Sequence, residues 1–287
     1  MPSSPLPPYR PPSRWPRPRF VHASMGVHAA AGAAAVVLPG AEAWALSAVA
    51  LNHAVLTGAG LWPRSGLLGP NLHRLPATEA HRQAVALTLD DGPDPAITPQ
   101  VLDLLDAAGA RATFFCIAER ARRHPALVRR MVERGHSVQN HSATHRHHFS
   151  LLGPAGFERE VGRAQTLLAD LTGTQPHCFR APAGLRNPLL DPVLHRLNLH
   201  LVSWTRRGFD TRDGDATRVL ARLTRDLAGG DILLLHDGHG RSGGGAGHAV
   251  VLDVLPRLLQ RCKAAGLRLV TLTEAVPPRH AAEGGRA

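Results

Sequence analysis

The chain has 287 residues, 44% hydrophobic and 19% charged, which excludes a disordered chain and implies a packed core. Lys and Arg outnumber Asp and Glu by 33 to 22, for a formal charge of +11, yet Lys263 is the only lysine. An arginine surplus of that kind reads as coding bias rather than a nucleic-acid surface, and 4% aromatics supply few rings for stacking on single strands.

Residues 1–19 are rich in Pro, Ser and Arg, with Arg10, Arg14, Arg17 and Arg19 and no acid, and read as a disordered basic tail. Phe20 to Ala41 carries no charge, Glu42 interrupts, and Ala43 to Pro63 is again uncharged. Each run is about the 20 residues a spanning helix needs. Pro39-Gly40 supplies a turn, and Trp44 and Trp62 lie near the ends of the second run, as interfacial aromatics do. A two-helix membrane hairpin over 20–63 is therefore expected. A signal peptide is the competing reading, with the apolar core Ala29–Leu38 and a small-x-small site at Ala41-Glu42-Ala43, but it leaves the second run unexplained. A pair of ordinary buried helices is the third, favoured by the alanine content and by His28, Asn52 and His53. The arginine-rich start sets the N-terminus in the cytoplasm, so a place on the cytoplasmic (inner) membrane is expected; a full hairpin returns the rest of the chain to the cytoplasm, whereas a single span turns it outward. Residues 64–83, with Pro70 and Pro76, read as a connector.

From Ala84 short apolar runs alternate with helical patterns. Strands are predicted at Val85–Leu89, Ala112–Ile117, Ser137–Gln139, His177–Phe179, Leu199–Ser203, Asp231–Leu235 and Leu267–Leu272. Thr98-Pro99 opens a helix as N-cap and first residue, and Gly109 stops it; His124-Pro125 opens another that ends at Gly135. Asn187-Pro188 opens a third, and His248–Ala265 is an amphipathic helix stopped by Gly266. The alternation argues for a parallel sheet, wound open or closed into a barrel. Cys116, Cys178 and Cys262 are odd in number and far apart, so buried thiols are expected rather than disulfides or a thiolate metal site.

Parallel folds place their sites at the C-terminal ends of strands. There the sequence sets Asp90 and Asp91, Asn140 with His141 and His145, Arg180, Trp204 and Asp210, and His236 with Asp237. Two imidazoles and one carboxylate, from His141, His145 and Asp91, suit Zn²⁺ or a similar divalent ion, and His at i and i+4 share one side of a helical turn. The Gly92-Pro93 turn would let Asp91 bind metal while Asp90 acts as general base toward water. Arg180 would hold Asp90 ionised, and His236, oriented by Asp210, would be the general acid. Asp237 and the pair His147 and His148 read as structural and surface residues. The Gly-rich loop Gly238–His248 reads as solvated linker, with a mobile lid as the alternative.

These residues carry a specific resemblance. Thr88-Leu89-Asp90-Asp91-Gly92-Pro93 resembles the first motif of polysaccharide deacetylases, the NodB-homology family (carbohydrate esterase family 4). His141-Ser142-Ala143-Thr144-His145 is similar to its second, Arg180-Ala181-Pro182-Ala183-Gly184 to its third, Trp204 to Asp210 to its fourth, and Leu233-Leu234-Leu235-His236-Asp237 to its fifth. The resemblance implies an α/β fold, a distorted and incomplete TIM-type (β/α) barrel over 84–276, preceded here by the hydrophobic hairpin and followed by a tail over 277–287. It implies metal-dependent removal of N- or O-acyl groups from an oligo- or polysaccharide, and it supports the roles given above. Pro182, Gly184, Trp204, Arg207 and Leu234 are expected to face the sugar. Leu89 replaces the usual Phe, and Ala183 and Thr211 stand where the family often has aromatics. Arg206 and Arg207 beside the site would suit a phosphate, which makes a lipid-linked sugar, deformylated or deacylated, the alternative substrate. A basic polymer-binding protein is a weaker third reading, with no nucleic-acid motif behind it, and no G-x-S-x-G elbow supports a serine hydrolase.

Overall fold

The computed structural model describes residues 14–238 and 249–279. The expectations for the tail over 1–13, for the loop from 239 to 248 and for the C-terminal tail from 280 onward lie outside those residues. Helices α1 (Arg19–Val37) and α2 (Glu42–Leu61) pack side by side as a hairpin. Only 11% of either apolar span is buried, and Val36, Trp44, Leu46 and Leu51 point outward. The polar residues inside the hairpin bond to one another: Asn52 donates to Ser24 Oγ at 2.8 Å, and the Nε2 atoms of His28 and His53 lie 3.1 Å apart.

Among the described residues eight parallel strands form the sheet. They are β1 (Ala84–Asp90), β2 (Thr113–Cys116), β3 (Ser137–Asn140), β4 (Cys178–Phe179), β5 (His200–Leu201), β6 (Arg206–Arg207), β7 (Ile232–His236) and β8 (Arg268–Leu269). Their order is β5-β4-β3-β2-β1-β7-β6, with β8 also on β1. The predicted strand positions hold, but β4, β5 and β8 shrink to two residues each, and β6 was not expected at all. Its two arginines carry no apolar signal; β7 alone holds it, through Arg206 opposite Leu233 and Arg207 opposite Leu234.

The helices of the barrel are α3 (Thr98–Ala107), α4 (Ala118–Arg123), α5 (Pro125–Glu133), α6 (Pro154–Phe157), α7 (Arg163–Thr172), α8 (Leu190–Arg196), α9 (Ala216–Thr224), α10 (Val251–Ala264) and α11 (Leu272–Ala275), with a π-helical stretch, Glu158–Gly162, joining α6 to α7. Thr98 does not cap α3 as expected. It is the first helical residue, and its hydroxyl accepts from Asp94 N and donates to Asp237. The capping acceptor is Asp94 Oδ1, which takes Ala96 N and Ile97 N.

Strand alternation divides β1 between two environments. Val85, Leu87 and Leu89 face outward into a cluster with Val101, Leu102 and Leu105 of α3 and Val254, Leu255 and Leu258 of α10. Each such fully buried side chain contributes about 1.5–3 kcal/mol. Ala84 and Ala86 face the barrel interior beside Phe115, Cys178 and Ile232, and the same face carries Thr88 and Asp90 upward to the rim. The three cysteines are buried free thiols, as expected.

The sheet does not close by itself, because β5 and β6 are both edges. Residues 64–83, expected as a connector, supply the missing pairing. Leu72 N donates to Leu201 O at 2.9 Å and Ser203 N to Leu72 O at 2.8 Å on one side; Leu75 N donates to Gly230 O at 2.8 Å, and Arg74 meets Asp231 at 2.7 Å, on the other.

Candidate active site

Asp90 ends β1 pointing inward, so a continued strand would send Asp91 to the other face. The reversal occurs at Asp91 itself, which adopts φ 71°, ahead of the Gly92-Pro93 turn that was expected to produce it. Both carboxylates thus reach one cavity. Backbone in the left-handed region is costly for residues with a side chain, and Ser142, His145 and Ala183 around the same rim share it.

Asp91 Oδ1 lies 3.3 Å from His141 Nε2 and 3.2 Å from His145 Nε2. The three donor atoms fall within 4.8 Å of one another. His141 Nδ1 donates to the Arg180 carbonyl at 2.8 Å, which turns the Nε2 lone pair toward Asp91. Two imidazole nitrogens and a carboxylate, with one ring oriented by a backbone carbonyl, fit a first-row divalent ion. The two histidines do not share a helical turn, contrary to expectation. They converge through a loop in which Ser142 N donates to Asn140 Oδ1 at 2.9 Å and His145 N donates to Ser142 Oγ at 3.0 Å. Burial lowers the His145 pKa to about 4, with the His141 charge adding to the effect. Burial also acts to lower that of His141, but Asp90 and Asp91 outweigh it and the net direction is upward.

Glu160, which the sequence reading missed, ties this loop down. Its carboxylate accepts from Thr144 N and Thr144 Oγ1 at 3.0 Å and from Arg146 Nε at 2.9 Å, while its backbone carbonyl accepts from Ala143 N. The neighbouring Val161 carbonyl accepts from Asn140 Nδ2 at 3.0 Å. Both carbonyls belong to the π-helical stretch, whose irregular ladder leaves them turned toward the loop.

Arg180 is fully buried behind Asp90. Nη1 donates to Asp90 Oδ1 at 2.6 Å and to Thr88 Oγ1 at 2.8 Å, Nη2 to Ser203 O at 2.9 Å, and the guanidinium lies 4.1 Å from the Phe115 ring centroid. Across the cavity Asp210 grips His236 twice: Nδ1 donates to Oδ1 at 2.9 Å and the backbone N–H to Oδ2 at 2.8 Å. Burial acts to lower the His236 pKa, but the hydrogen bond and charge of Asp210 outweigh it, so the net direction is upward. Asp237 is buried beside Thr98, and burial pushes its carboxyl up to about 7.

The cavity these groups share, about 450 Å³, is lined by Asp90, Asp91, His141, His145 and His236 together with Gly184, Trp204, Arg207 and Leu234. Arg180 and Asp210 stand behind that lining. Pro182 is buried at the start of the turn that presents Ala183 and Gly184 and is not itself part of the wall. Arg206 is not beside the site. Alternation along β6 turns it to the opposite face, where it binds Asp231 Oδ2 at 2.6 Å and the Asp226 carbonyl. His147, expected as a plain surface residue, lines the mouth, as do Thr211 and Arg212. Arg212 follows Phe209, whose φ of 61° marks a turn back toward the cavity that strand patterning does not reveal.

Residues 77–202 match the family model described as polysaccharide deacetylase. A peptidoglycan-N-acetylglucosamine deacetylase of Bacillus cereus is 31% identical over 202 residues, covering 70% of this chain and 91% of that one. A chitooligosaccharide deacetylase of Sinorhizobium fredii is 37% identical over 172 residues, covering 58% of this chain and 78% of that one. Among solved structures, the family 4 carbohydrate esterase from Streptomyces lividans in complex with acetate superposes with a TM-score of 0.61 at 32% identity, covering 68% of this chain and 96% of that one.

Proposed function

The chain belongs to the polysaccharide deacetylase family, and from that premise we propose that it is a metal-dependent hydrolase that removes an acetyl group from an N-acetylated amino sugar. The observation that carries the reading is the convergence of Asp91, His141 and His145 with Asp90 and His236 on one cavity. The relatives act on peptidoglycan and chitooligosaccharide by name, and their amide-bearing N-acetylglucosamine is the reference substrate for this chain.

A divalent ion, zinc first among candidates, held by Asp91, His141 and His145 would polarise the acyl carbonyl and make a water acidic near neutral pH. Asp90 is the general base. Its Oδ1 is committed to Arg180, and Oδ2 takes the proton of the attacking water. The water oxygen bonds to the carbonyl carbon. His236, protonated on Nε2 because Nδ1 is occupied by Asp210, gives that proton to the nitrogen as the carbon–nitrogen bond breaks. Acetate and a free sugar amine leave. Trp204 and Leu234 flank the sugar, and the turn after Pro182 shapes the wall.

Residues 20–63 serve as a membrane anchor and 84–276 as the catalytic domain in this reading. The length and outward apolar surface of α1 and α2 support the anchor. The function is tested by acetate release from an N-acetylglucosamine oligomer. Turnover by the metal-loaded chain is expected, and inertness across N- and O-acetylated glycans contradicts it.

A further inference from the structure

The end of the second apolar helix is built into the wall of the site. Gly184 lines the cavity at φ 74°, and a Cβ there would lie 2.6 Å from Trp204 and 2.8 Å from Pro63, just beyond α2. Inside α2, Gly60 lets the backbones touch: Arg186 N donates to Gly60 O at 3.1 Å, and a Cβ on Gly60 would lie 2.2 Å from the Arg186 carbonyl. Ahead of α1, Trp15 Nε1 donates to Asp191 Oδ2 at 2.8 Å. Both ends of the hairpin are thus fixed to the catalytic domain, one of them at the cavity wall.

With the hairpin in a bilayer, this geometry would hold that wall of the site close to the lipid head groups. The same end carries Arg14, Arg17, Arg19 and Arg64, so the charge rule places it on the cytoplasmic side. A substrate held at that face would be a sugar carried by a membrane lipid, and the arginines at the mouth suit a phosphate as the joining group.

The mouth is furnished for an anion. Arg207 lies 5.2 Å from the Trp204 ring centroid and 5.0 Å from that of Phe209, and its Nε is buried without a hydrogen-bond partner among the described residues. Arg212 lines the same mouth. The nearby carboxylates are already engaged, Asp90 by Arg180 and Asp210 by His236. A stacked guanidinium with an unused donor at Nε suits a phosphate. Among the described residues Trp204 is the only Trp, Tyr or Phe in the lining, so a long neutral glycan would find one ring there to lie on.

We infer that the site takes an N-acetylated sugar joined through phosphate to a membrane lipid, with Arg207 and Arg212 holding the phosphate and the hairpin holding the mouth at the lipid surface. The inference rests on the deacetylase reading and names its substrate class.

The test uses the full chain, metal-loaded, in phosphatidylcholine nanodiscs. Three substrates are compared: polyprenyl-diphosphate N-acetylglucosamine in the nanodisc, soluble N-acetylglucosamine 1-phosphate, and the soluble N-acetylglucosamine tetramer. The lipid-linked substrate should exceed both others at least a hundredfold in kcat/KM. The double variant Arg207→Gln/Arg212→Gln should cut its preference over the tetramer at least tenfold, mostly through KM. Arg212→Gln alone, at an exposed position, should move the preference in the same direction with the fold intact. A tetramer turned over as well as the lipid-linked sugar, a soluble sugar phosphate equal to it, or a preference untouched in the variants overturns the inference while leaving the deacetylase reading in place. Failure to turn over any of the three overturns both.

Discussion

Arg180 and Asp90 form a buried ion pair, Nη1 to Oδ1 at 2.6 Å, directly behind the point where β1 delivers its last side chain to the cavity. Both partners are buried, so removing either one leaves the other without its counter-charge away from water. Two substitutions separate its roles. Asp90→Asn keeps shape and leaves the Asp91, His141 and His145 donors in place, so metal stoichiometry should be unchanged while kcat falls by about 10²–10⁴. Arg180→Leu strands the carboxylate, and urea unfolding should show a loss of about 3–5 kcal/mol. A fully active Asp90→Asn protein would show that another group takes the proton.

The alkaline limb of the rate profile belongs to His236 in this scheme. A general acid works only while protonated, so activity is lost as pH rises through its pKa. Burial works to lower that pKa, and Asp210 raises it by more. Asp210→Asn removes the raising charge and leaves the burial. The limb should move to lower pH, measured on kcat against pH with metal content held constant. A limb that stays in place assigns the proton to a different residue.

Glu160 touches no substrate, yet it anchors Thr144 and Arg146 on either side of His145. It is a positioning residue for the loop that carries His141 and His145. Glu160→Gln keeps the volume and loses the charge-assisted bonds, so metal affinity by competition with a chelator should weaken about 10–100-fold. Tm of the metal-free protein separates this from general damage. An unchanged affinity would mean that the loop holds its shape through Asn140 and Ser142 alone.

The convergence of the candidate site was readable from sequence wherever strand periodicity and side-chain chemistry coincide. Asp90, Asp91, His141, Arg180 and His236 each sit at the end of an apolar or buried run, so the rule for parallel sheets brings them together without knowledge of the closing geometry. Glu160 was out of reach because its role depends on a π-helical irregularity that leaves no mark in hydrophobic periodicity. Arg206 and Arg207 looked equivalent until β6 was seen to be a strand, where neighbours face opposite ways. His147 and Arg212 reach the mouth through turns at His145 and Phe209 in the left-handed region, and residues with side chains carry no advance sign of that conformation. The connector's part in closing the barrel was hidden for a related reason: Leu72 to Leu75 makes isolated pairings rather than a patterned strand.

The hairpin makes a topological prediction. Both of its ends meet the catalytic domain, through Trp15 with Asp191 and Gly60 with Arg186. If both helices span, the arginine-rich N-terminus and the catalytic domain share one side. The protein should remain with carbonate-washed membranes, and a reporter fused after Ala287 should read cytoplasmic. A periplasmic reading would contradict the hairpin.

The metal-dependent chemistry is tested by measuring bound metal and acetate release on the same preparations of wild type, Asp91→Ala and Asp90→Asn. Wild type should bind one divalent ion per chain and release acetate from an N-acetylated glucosamine substrate, with activity lost on chelation and restored by the ion. Asp91→Ala should lose both ion and turnover, and Asp90→Asn should keep the ion and lose turnover. Full acetate release by metal-free wild type, or by an Asp91→Ala protein that binds no ion, would contradict the assignment of this cavity as a metal-dependent deacetylase site.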